Sequence, residues 1–260
     1  MSIAGRIDIA EPPRIRNIMG VDVSALTQRE AVDLVAERIA ARQFTKVAFL
    51  NAHVANIAQS DAGFCGILRD FLVVPDGVGV DIASKALFGA KFPANLNGTD
   101  FVPHLLIALP RKIRVGLLGA ERDSVEAAAD RLKRIAPAHD YVIYGDGFFT
   151  REMEPAILNR LQNDRPDLLL VAMGVPRQEY WIDGISGAHA SVAMAVGALF
   201  DFLSGAVPRA PLWMRKARLE WLFRLIIEPS RLWRRYLVGN PLFIFRLLRQ
   251  LVAGQRSHGA

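Results

Sequence analysis

Cysteine is almost absent from this 260-residue chain, and long apolar runs are missing altogether. The single cysteine, Cys65, excludes an internal disulfide and is typical of a reducing compartment. No stretch reaches the roughly 18–20 consecutive apolar residues that a membrane-spanning helix needs, although hydrophobic residues make up 52% of the chain. The N-terminus also lacks the apolar segment of a secretory signal peptide. We therefore expect a cytoplasmic protein without a spanning helix.

Several short motifs that carry known chemistry are missing too. No G-x-G-x-x-G opens a helix after the first strand, and no G-x-x-x-x-G-K-[ST] is present, which disfavours a plain NAD enzyme and a P-loop NTPase. His53 and His104 have no partners at metal-ligand spacing, and Cys65 lies in no nucleophile motif. The sequence predicts neither a bound metal nor a cofactor.

What is present is an alternation of short apolar runs with helical patterns. Strands are predicted at residues 20–24, 46–50, 72–75, 114–118, 141–144, 168–172 and 192–196. Helices are predicted between most of them, and Thr27 with Glu30 forms a capping box before the first. The run at 168–172 is continuously apolar, as in a strand covered on both faces. This order predicts an α/β fold with a parallel sheet and helices on both faces.

The composition divides the chain into three parts. Residues 1–18 are polar and contain prolines, which indicates a flexible leader, and residues 19–206 form the α/β body. Residues 207–260 form a basic, aromatic tail. Between Arg209 and Arg249 lie ten basic residues, two acidic ones and three of the four tryptophans, so this span has a net charge of +8 in a chain of +6.

Polar residues and glycines follow several predicted strands, at the edge where ligands bind in open parallel sheets. Asn51 follows one strand, and Asp76, Gly77 and Gly79 follow the next. Asp76 could act as a general base, but an aspartate that caps the following helix fits the spacing equally well. Asp201 lies within a helical pattern, which favours a structural role.

Apolar and basic residues of the tail recur at helical spacing over residues 212–227, which is typical of an interfacial helix on anionic lipid. An ordinary helix that packs on the core with a solvated basic face is the alternative. Nucleic acid is another partner for basic patches, but no nucleic-acid-binding module accompanies this one. We expect an anionic membrane surface as the partner and no nucleic acid.

The chain resembles the WecG/TagA/CpsF glycosyltransferases (glycosyltransferase family 26). The resemblance runs from about residue 20 to 245. It rests on these segments: NAHVANIA at 51–58, PDGVGVDIASKALFG at 75–89, NGTDF at 97–101, LLGA at 117–120, GDGFF at 145–149, AMGVPRQEYWI at 172–182, VGALFDFLSG at 196–205 and a long match at 209–243.

This resemblance implies a Rossmann-like catalytic domain with a helical basic appendage. The family transfers a sugar from a nucleotide-diphosphate donor to a polyprenyl-diphosphate-linked acceptor, with inversion and without a metal, in the synthesis of cell-surface polysaccharides. The resemblance therefore predicts an enzyme bound peripherally to the inner face of the cell membrane, where the appendage helps to complete the active site. A homo-oligomer is compatible with it.

Site residues follow from the matching segments. Asp76 is implied as the general base, and Asn51 and Gln178 as substrate-binding residues. The appendage arginines of the family fall by spacing on Arg224, Arg231 and Arg234, which suit a departing diphosphate because guanidinium groups pair with phosphate oxygens. The predicted substrate-binding set is completed by Gly77, Gly79, Thr99 and Asp100.

Some positions depart from the common pattern of the family. Phe49 stands where teichoic-type members carry threonine, His53 replaces a frequent glutamate, and Asn95 replaces an arginine. The donor sugar is therefore open between N-acetylmannosamine, a uronic acid and mannose. A non-catalytic scaffold or nucleotide-sugar sensor of polysaccharide assembly is the alternative function.

Overall fold

A computed structural model describes residues 14–217 and 219–257 of the chain. Eight strands are described: β1 (Ile15–Ile18), β2 (Val21–Ser24), β3 (Thr45–Leu50), β4 (Phe71–Pro75), β5 (Arg114–Gly119), β6 (Asp140–Gly145), β7 (Leu168–Ala172) and β8 (Val192–Ala195). The helices of the body are α1 (Gln28–Ala40), α2 (Ala52–Ser60), α3 (Ala62–Ile67), α4 (Val78–Phe88), α5 (Gly98–Ala108), α6 (Arg122–Ile135), α7 (Glu154–Asp164), α8 (Arg177–Asp183) and α9 (Leu199–Ser204). The tail contains α10 (Leu212–Lys216), α11 (Glu220–Ile227), α12 (Pro229–Trp233), a π-helical turn (Arg234–Val238) and α13 (Gly239–Ser257).

Six strands form one parallel sheet in the order β4-β3-β8-β7-β5-β6. Helices cover both faces, because successive side chains of a strand point to opposite sides. Leu169 and Val171 of β7 face a core with α2, α3, α4, α7, α8 and α13, whereas Leu168 and Leu170 face α1, α5, α6 and α9. The predicted Rossmann-like fold is confirmed.

The N-terminal boundary differs from the sequence-based one. Residues 15–18 were assigned to the leader, but they form β1, which pairs antiparallel with β2. Burial explains the hairpin, since Ile18, Val21 and Val23 are at most 2% exposed and join the core beside β4. Residues 1–13 of the predicted leader lie outside the described residues.

Local sequence signals set several helix starts. Thr27 and Glu30 form the predicted capping box at α1, with a hydrogen bond from the backbone N–H of Thr27 to Oε2 of Glu30 at 2.6 Å. Asn51 caps α2 by accepting hydrogen bonds from the N–H groups of His53 and Val54. Helix α5 begins at Gly98, and the side chain of Asn97 caps it by accepting a hydrogen bond from the N–H of Asp100.

The tail differs most from the sequence-based expectation. The predicted helix over residues 212–227 is divided into α10 and α11. Helix α13 packs against α2 and α4 instead of standing apart from the body. Phe243 and Leu247 are 1% and 3% exposed and belong to the main core. Polar contacts add to this docking, since Asn56 donates to the carbonyl of Gly239 at 2.7 Å and Arg246 donates to the carbonyl of Asn56 at 2.7 Å. The last helix is thus part of the folded body.

Candidate active site

Asn51 and Asp76 meet at the carboxyl ends of two neighbouring strands. Leu50 of β3 lies opposite Pro75 of β4, so the next residue of each strand falls at the same edge of the sheet. The N–H of Asp76 donates to the carbonyl of Leu50 at 2.8 Å, and Nδ2 of Asn51 donates to Oδ2 of Asp76 at 3.0 Å. Since Oδ1 of Asn51 is held by the start of α2, its amide presents a fixed donor to the carboxylate.

Asp76 does not cap the helix that follows it. The N-cap of α4 is Gly77, with a φ of 92°, and within the described part of the chain no side chain makes a cap hydrogen bond there. The alternative role that the spacing allowed is therefore wrong. The carboxylate instead lies in the site, and the left-handed backbone at Gly77 favours a residue without Cβ.

Burial and the neighbouring positive charges shift the pKa of Asp76 in opposite directions. Desolvation raises the pKa of its carboxyl, whereas the hydrogen bond from Asn51 and the positive charges of Arg235 and Arg224 lower it, and Asp100 raises it again. The net effect raises the pKa of Asp76 above its usual value. A carboxylate with raised proton affinity is a better general base, provided that it is deprotonated at the working pH.

Two further residues shape the loop after β4. The N–H of Gly77 donates to Oδ1 of Asn95 at 2.7 Å, so Asn95 fixes the backbone directly beside Asp76. A Cβ at Gly79 would lie 3.3 Å from that of Ala52 and 3.7 Å from the ring of Phe243. Gly79 therefore allows α2, α4 and α13 to approach one another, which is a packing role.

Asp100 links the body to the tail. Its Oδ1 accepts from Nη1 of Arg209 at 2.8 Å and lies 4.0 Å from Nη1 of Arg215. Burial raises the pKa of Asp100, but the hydrogen bonds from Arg209 and Asn97 and the charges of Arg209 and Arg215 outweigh it, so the net pKa is lowered. The structure thus gives this predicted substrate-binding residue a partner within the protein. Thr99 lies beside it in the first turn of α5, partly exposed.

Arg224 and Arg235 are the tail arginines whose charges act on Asp76. The guanidinium of Arg224 lies 5.0 Å above the ring of Phe202, and its Nε is buried without a hydrogen-bond partner among the described residues. Arg231 forms an ion pair with Glu228 at 2.6 Å. Arg234, the third predicted arginine, is exposed and stacks on the ring of Trp233 at 5.3 Å. The residue that the sequence missed is its neighbour Arg235.

Gln178 lies inside the protein. It is 2% exposed, its Oε1 accepts from the N–H of Gly197 at 3.0 Å, and its Nε2 donates to Glu179 at 2.9 Å. Both ends of this predicted substrate-binding amide are therefore used within the protein. Gly197 lies two residues beyond the end of β8, with a φ of 56°, and no described atom lies within 4 Å of where its Cβ would stand. Gln178 thus orients the backbone at the sheet edge instead of reaching into the cleft.

Two further titratable residues near the site, His53 and Asp201, also have shifted pKa values. Burial and the charge of Arg235 lower the pKa of His53 to about 4, so its imidazole is neutral at neutral pH. Burial raises the pKa of Asp201, while Arg231 and Arg224 lower it and Glu121 and Glu228 raise it. In the described part of the chain, no group of three or more His, Cys, Asp or Glu side chains could hold a metal ion.

The fold and the site together define a class. A parallel sheet presents a partly buried carboxylate at its carboxyl edge, and the charges of arginines from a C-terminal segment lower its pKa, as expected of a transferase that acts on phosphate-bearing substrates. The chain belongs to the WecG/TagA/CpsF glycosyltransferase family, whose model matches residues 16–257. The resemblance inferred from its motifs is thus confirmed.

Curated relatives agree with this assignment. The chain is 34% identical, over 72% of its length and 71% of the relative's, to an N-acetylglucosaminyldiphosphoundecaprenol N-acetyl-beta-D-mannosaminyltransferase of Bacillus spizizenii. Proteins of the same name from Bacillus subtilis and Staphylococcus aureus are both 30% identical. The match covers 78% of the chain and 79% of the relative for the first, and 90% and 92% for the second. The family and these relatives make a glycosyltransferase the supported class, and the scaffold alternative is set aside.

Proposed function

We propose that this enzyme transfers a sugar from a nucleotide-diphosphate donor to a polyprenyl-diphosphate-linked acceptor, with inversion and without a metal ion. The main supporting observation is the Asp76 carboxylate, which Asn51 holds at the sheet edge and whose pKa is lowered by the charges of Arg224 and Arg235. The names of the relatives support an acceptor with a diphosphate-linked polyprenyl chain and an N-acetylmannosamine donor. A uronic acid or mannose donor remains a further candidate, because Phe49, His53 and Asn95 differ from the common pattern.

The site offers a side chain for each step of this reaction. Asp76 removes the proton of the acceptor hydroxyl, whose oxygen attacks the anomeric carbon of the donor as the bond to the diphosphate breaks. The departing diphosphate gains charge, and arginines stabilise it through charge-assisted hydrogen bonds. Because the hydroxyl oxygen attacks the face opposite the departing diphosphate in a single displacement, the anomeric centre is inverted. Asn51 keeps the carboxylate oriented and lowers its proton affinity.

We also propose that the tail holds the enzyme on an anionic membrane surface. Phe245, Leu248 and Val252 are 58%, 55% and 51% exposed and are spaced three and four residues apart, on the side of α13 away from Phe243 and Leu247. Leu212 and Trp213 of α10 are 58% and 64% exposed. Exposed aromatic and aliphatic side chains beside arginines are typical of interfacial segments. No helix in the described ranges is long and apolar enough to cross a membrane.

A transfer assay tests the proposed reaction. Purified enzyme is incubated with nucleotide sugars that carry N-acetylmannosamine, mannose or a uronic acid, with and without a short polyprenyl-diphosphate-N-acetylglucosamine acceptor. We expect one donor to give acceptor-dependent release of nucleoside diphosphate, an inverted linkage by NMR and no loss of rate with EDTA. Absence of acceptor-dependent release from every donor would contradict the proposal.

A further inference from the structure

A cleft of about 380 Å³ lies between α13 and the hairpin of β1 and β2. It is lined by the turn of the hairpin, by Gln59 of α2 and by Arg246, Arg249 and Gln250 of α13. Its volume falls within the range of roughly 300–1,000 Å³ that is usual for small-ligand sites. None of its lining residues belongs to the candidate active site, so the cleft is a separate feature of the surface.

Hydrogen bonds hold the walls of this cleft together. Oε1 of Gln250 accepts from the N–H of Met19 at 2.9 Å, and its Nε2 donates to the carbonyl of Asn17 at 3.1 Å. Nε2 of Gln59 donates to the carbonyl of Met19 at 2.7 Å. Both helices are thus attached to the same hairpin turn. Walls that are fixed in this way lose little conformational entropy when a ligand binds.

The cleft has an excess of positive charge. Its lining contains two arginines and no acidic residue. Arg246 is partly buried and donates to uncharged groups of α2, among them Oγ of Ser60 at 2.8 Å. Arg249 is exposed and forms no hydrogen bond or ion pair with any described residue. Asp22 contacts the lining by accepting from Nδ2 of Asn17 at 2.7 Å, so one carboxylate lies opposite two guanidinium groups.

The two arginines border the apolar side of α13. Arg249 follows the exposed Phe245 by four residues and Arg246 by three, so these side chains are neighbours on the helix surface. Leu248 and Val252 continue the apolar side beside them. In an interfacial helix the apolar groups reach the acyl boundary, and the basic groups at their flank lie among the lipid headgroups. The cleft therefore opens where headgroups would lie if this side of α13 meets a membrane.

We propose that this cleft binds the phosphate of an anionic phospholipid headgroup. Arg249 donates to the phosphate oxygens, since a guanidinium can pair with two of them at once, and Arg246 adds charge from the wall. This inference rests on the proposed membrane contact and adds a specific site to it. A lipid fits the position better than a free phosphate ester, because the apolar groups beside the cleft would meet its acyl chains. Diffuse attraction depends on surface charge alone, whereas such a site also distinguishes the chemistry of the headgroup.

Vesicles of equal surface charge test for the site. Full-length protein is sedimented with phosphatidylcholine vesicles that contain either phosphatidylglycerol or oleate, matched in zeta potential. We expect wild type to bind the phosphatidylglycerol vesicles about tenfold more tightly, as a charged hydrogen bond would give. Arg249→Gln should bind both kinds within about twofold of each other. Arg234→Gln removes the same charge from another exposed position of the tail and should keep the preference.

Two further measurements support the comparison. Arg249→Gln should melt like wild type, because the side chain is exposed and has no partner among the described residues. Calorimetric titration with glycerol 3-phosphate tests for a free phosphate ester, and we expect a dissociation constant no tighter than about 1 mM. Micromolar binding of this ester would overturn the lipid assignment.

The outcomes separate this inference from the membrane proposal. If wild type binds both kinds of vesicle equally, or if Arg249→Gln keeps the preference, the headgroup site is wrong while the membrane contact stands. If wild type binds neither kind of vesicle, the membrane contact and the headgroup site are both overturned.

Discussion

At the scale of single residues, the sequence predicts the centre of the site but not all of its members. Asn51 and Asp76 could be found because each directly follows an apolar strand, and parallel neighbours bring such positions together. The burial of Gln178 could not be predicted, because the sequence does not distinguish a polar side chain at a helix start that points into the cleft from one that points into the interior. The choice between Arg234 and Arg235 depends on a π-helical turn that no periodicity reveals.

The variant Asn51→Asp tests how Asn51 affects the pKa of the Asp76 carboxyl. An aspartate can still cap α2, so we expect the melting temperature at neutral pH to change little. It would replace a donor 3.0 Å from Asp76 with a like charge, which raises the pKa of the site carboxylates. Activity requires the deprotonated base and is lost as the pH falls, so the acid limb of kcat/KM should move up by about one to two pH units. An unchanged limb would contradict the role of Asn51.

Glu179 makes a pH-dependent contribution to stability. It is 1% exposed, and burial raises its pKa from 4.5 to about 7, partly offset by hydrogen bonds from Gln178 and its own backbone. The unfolded chain releases this proton near pH 4.5 and the folded chain only near pH 7, so folding is favoured less as the pH rises through this window. The loss between pH 4.5 and pH 8 is on the order of 3 kcal/mol.

Glu179→Gln removes that titration while keeping an acceptor for Gln178. We expect the variant to gain unfolding free energy relative to wild type between pH 5 and pH 8, measured by urea denaturation. A difference between the two proteins that does not change with pH would show that Glu179 does not titrate in this range.

At the scale of elements, the alternation of strands and helices could be predicted, and the short or unusually docked elements could not. The strand β1 was missed because four residues after a polar leader give little pattern, and α2 and α3 because short apolar segments fit a helix and a loop equally. The helix α13 has apolar residues on both sides, so its sequence alone does not reveal which side meets the core. Tertiary packing decides these cases.

Phe243 and Phe245 test the docking of α13. Phe243→Ala removes a side chain that is 1% exposed and should lower the free energy of unfolding by about 3–5 kcal/mol. Phe245→Ala, at a position that is 58% exposed on the same helix, should change it by less than about 0.5 kcal/mol. Equal losses in chemical denaturation would show that the helix does not dock as described.

At the scale of the whole molecule, the tail contributes to the core of the body, to the candidate site and to the proposed membrane-binding surface. Its last helix contributes to the core, its arginines pair with Asp100 and lower the pKa of Asp76, and its outer side exposes apolar groups. Deletion of the tail would therefore damage the fold as well as any membrane contact, and point substitutions are needed to separate them. The basic composition predicted a surface role, but only the fold shows that the same segment belongs to the core.

Vesicle binding tests that surface. The triple variant Phe245→Ser, Leu248→Ser and Val252→Ser should lose more than about tenfold of its affinity for anionic vesicles, since each buried apolar side chain contributes about 1.5–3 kcal/mol. Ile107→Ser with Met153→Ser, exposed positions on the body, serves as the control and should bind like wild type. Equal sedimentation of the triple variant and wild type would exclude this side of α13 as the membrane contact.

The general-base role of Asp76 is the central claim, and a single substitution tests it most directly. Asp76→Asn keeps a similar shape, whereas Asp70→Asn changes an exposed aspartate in the turn before β4, at the other end of the same strand. We expect Asp76→Asn to bind the nucleotide donor within a few fold of wild type while its transfer rate falls by at least about a hundredfold, the range of general-base catalysis. Asp70→Asn should transfer normally. Normal turnover by a folded Asp76→Asn enzyme would contradict the account.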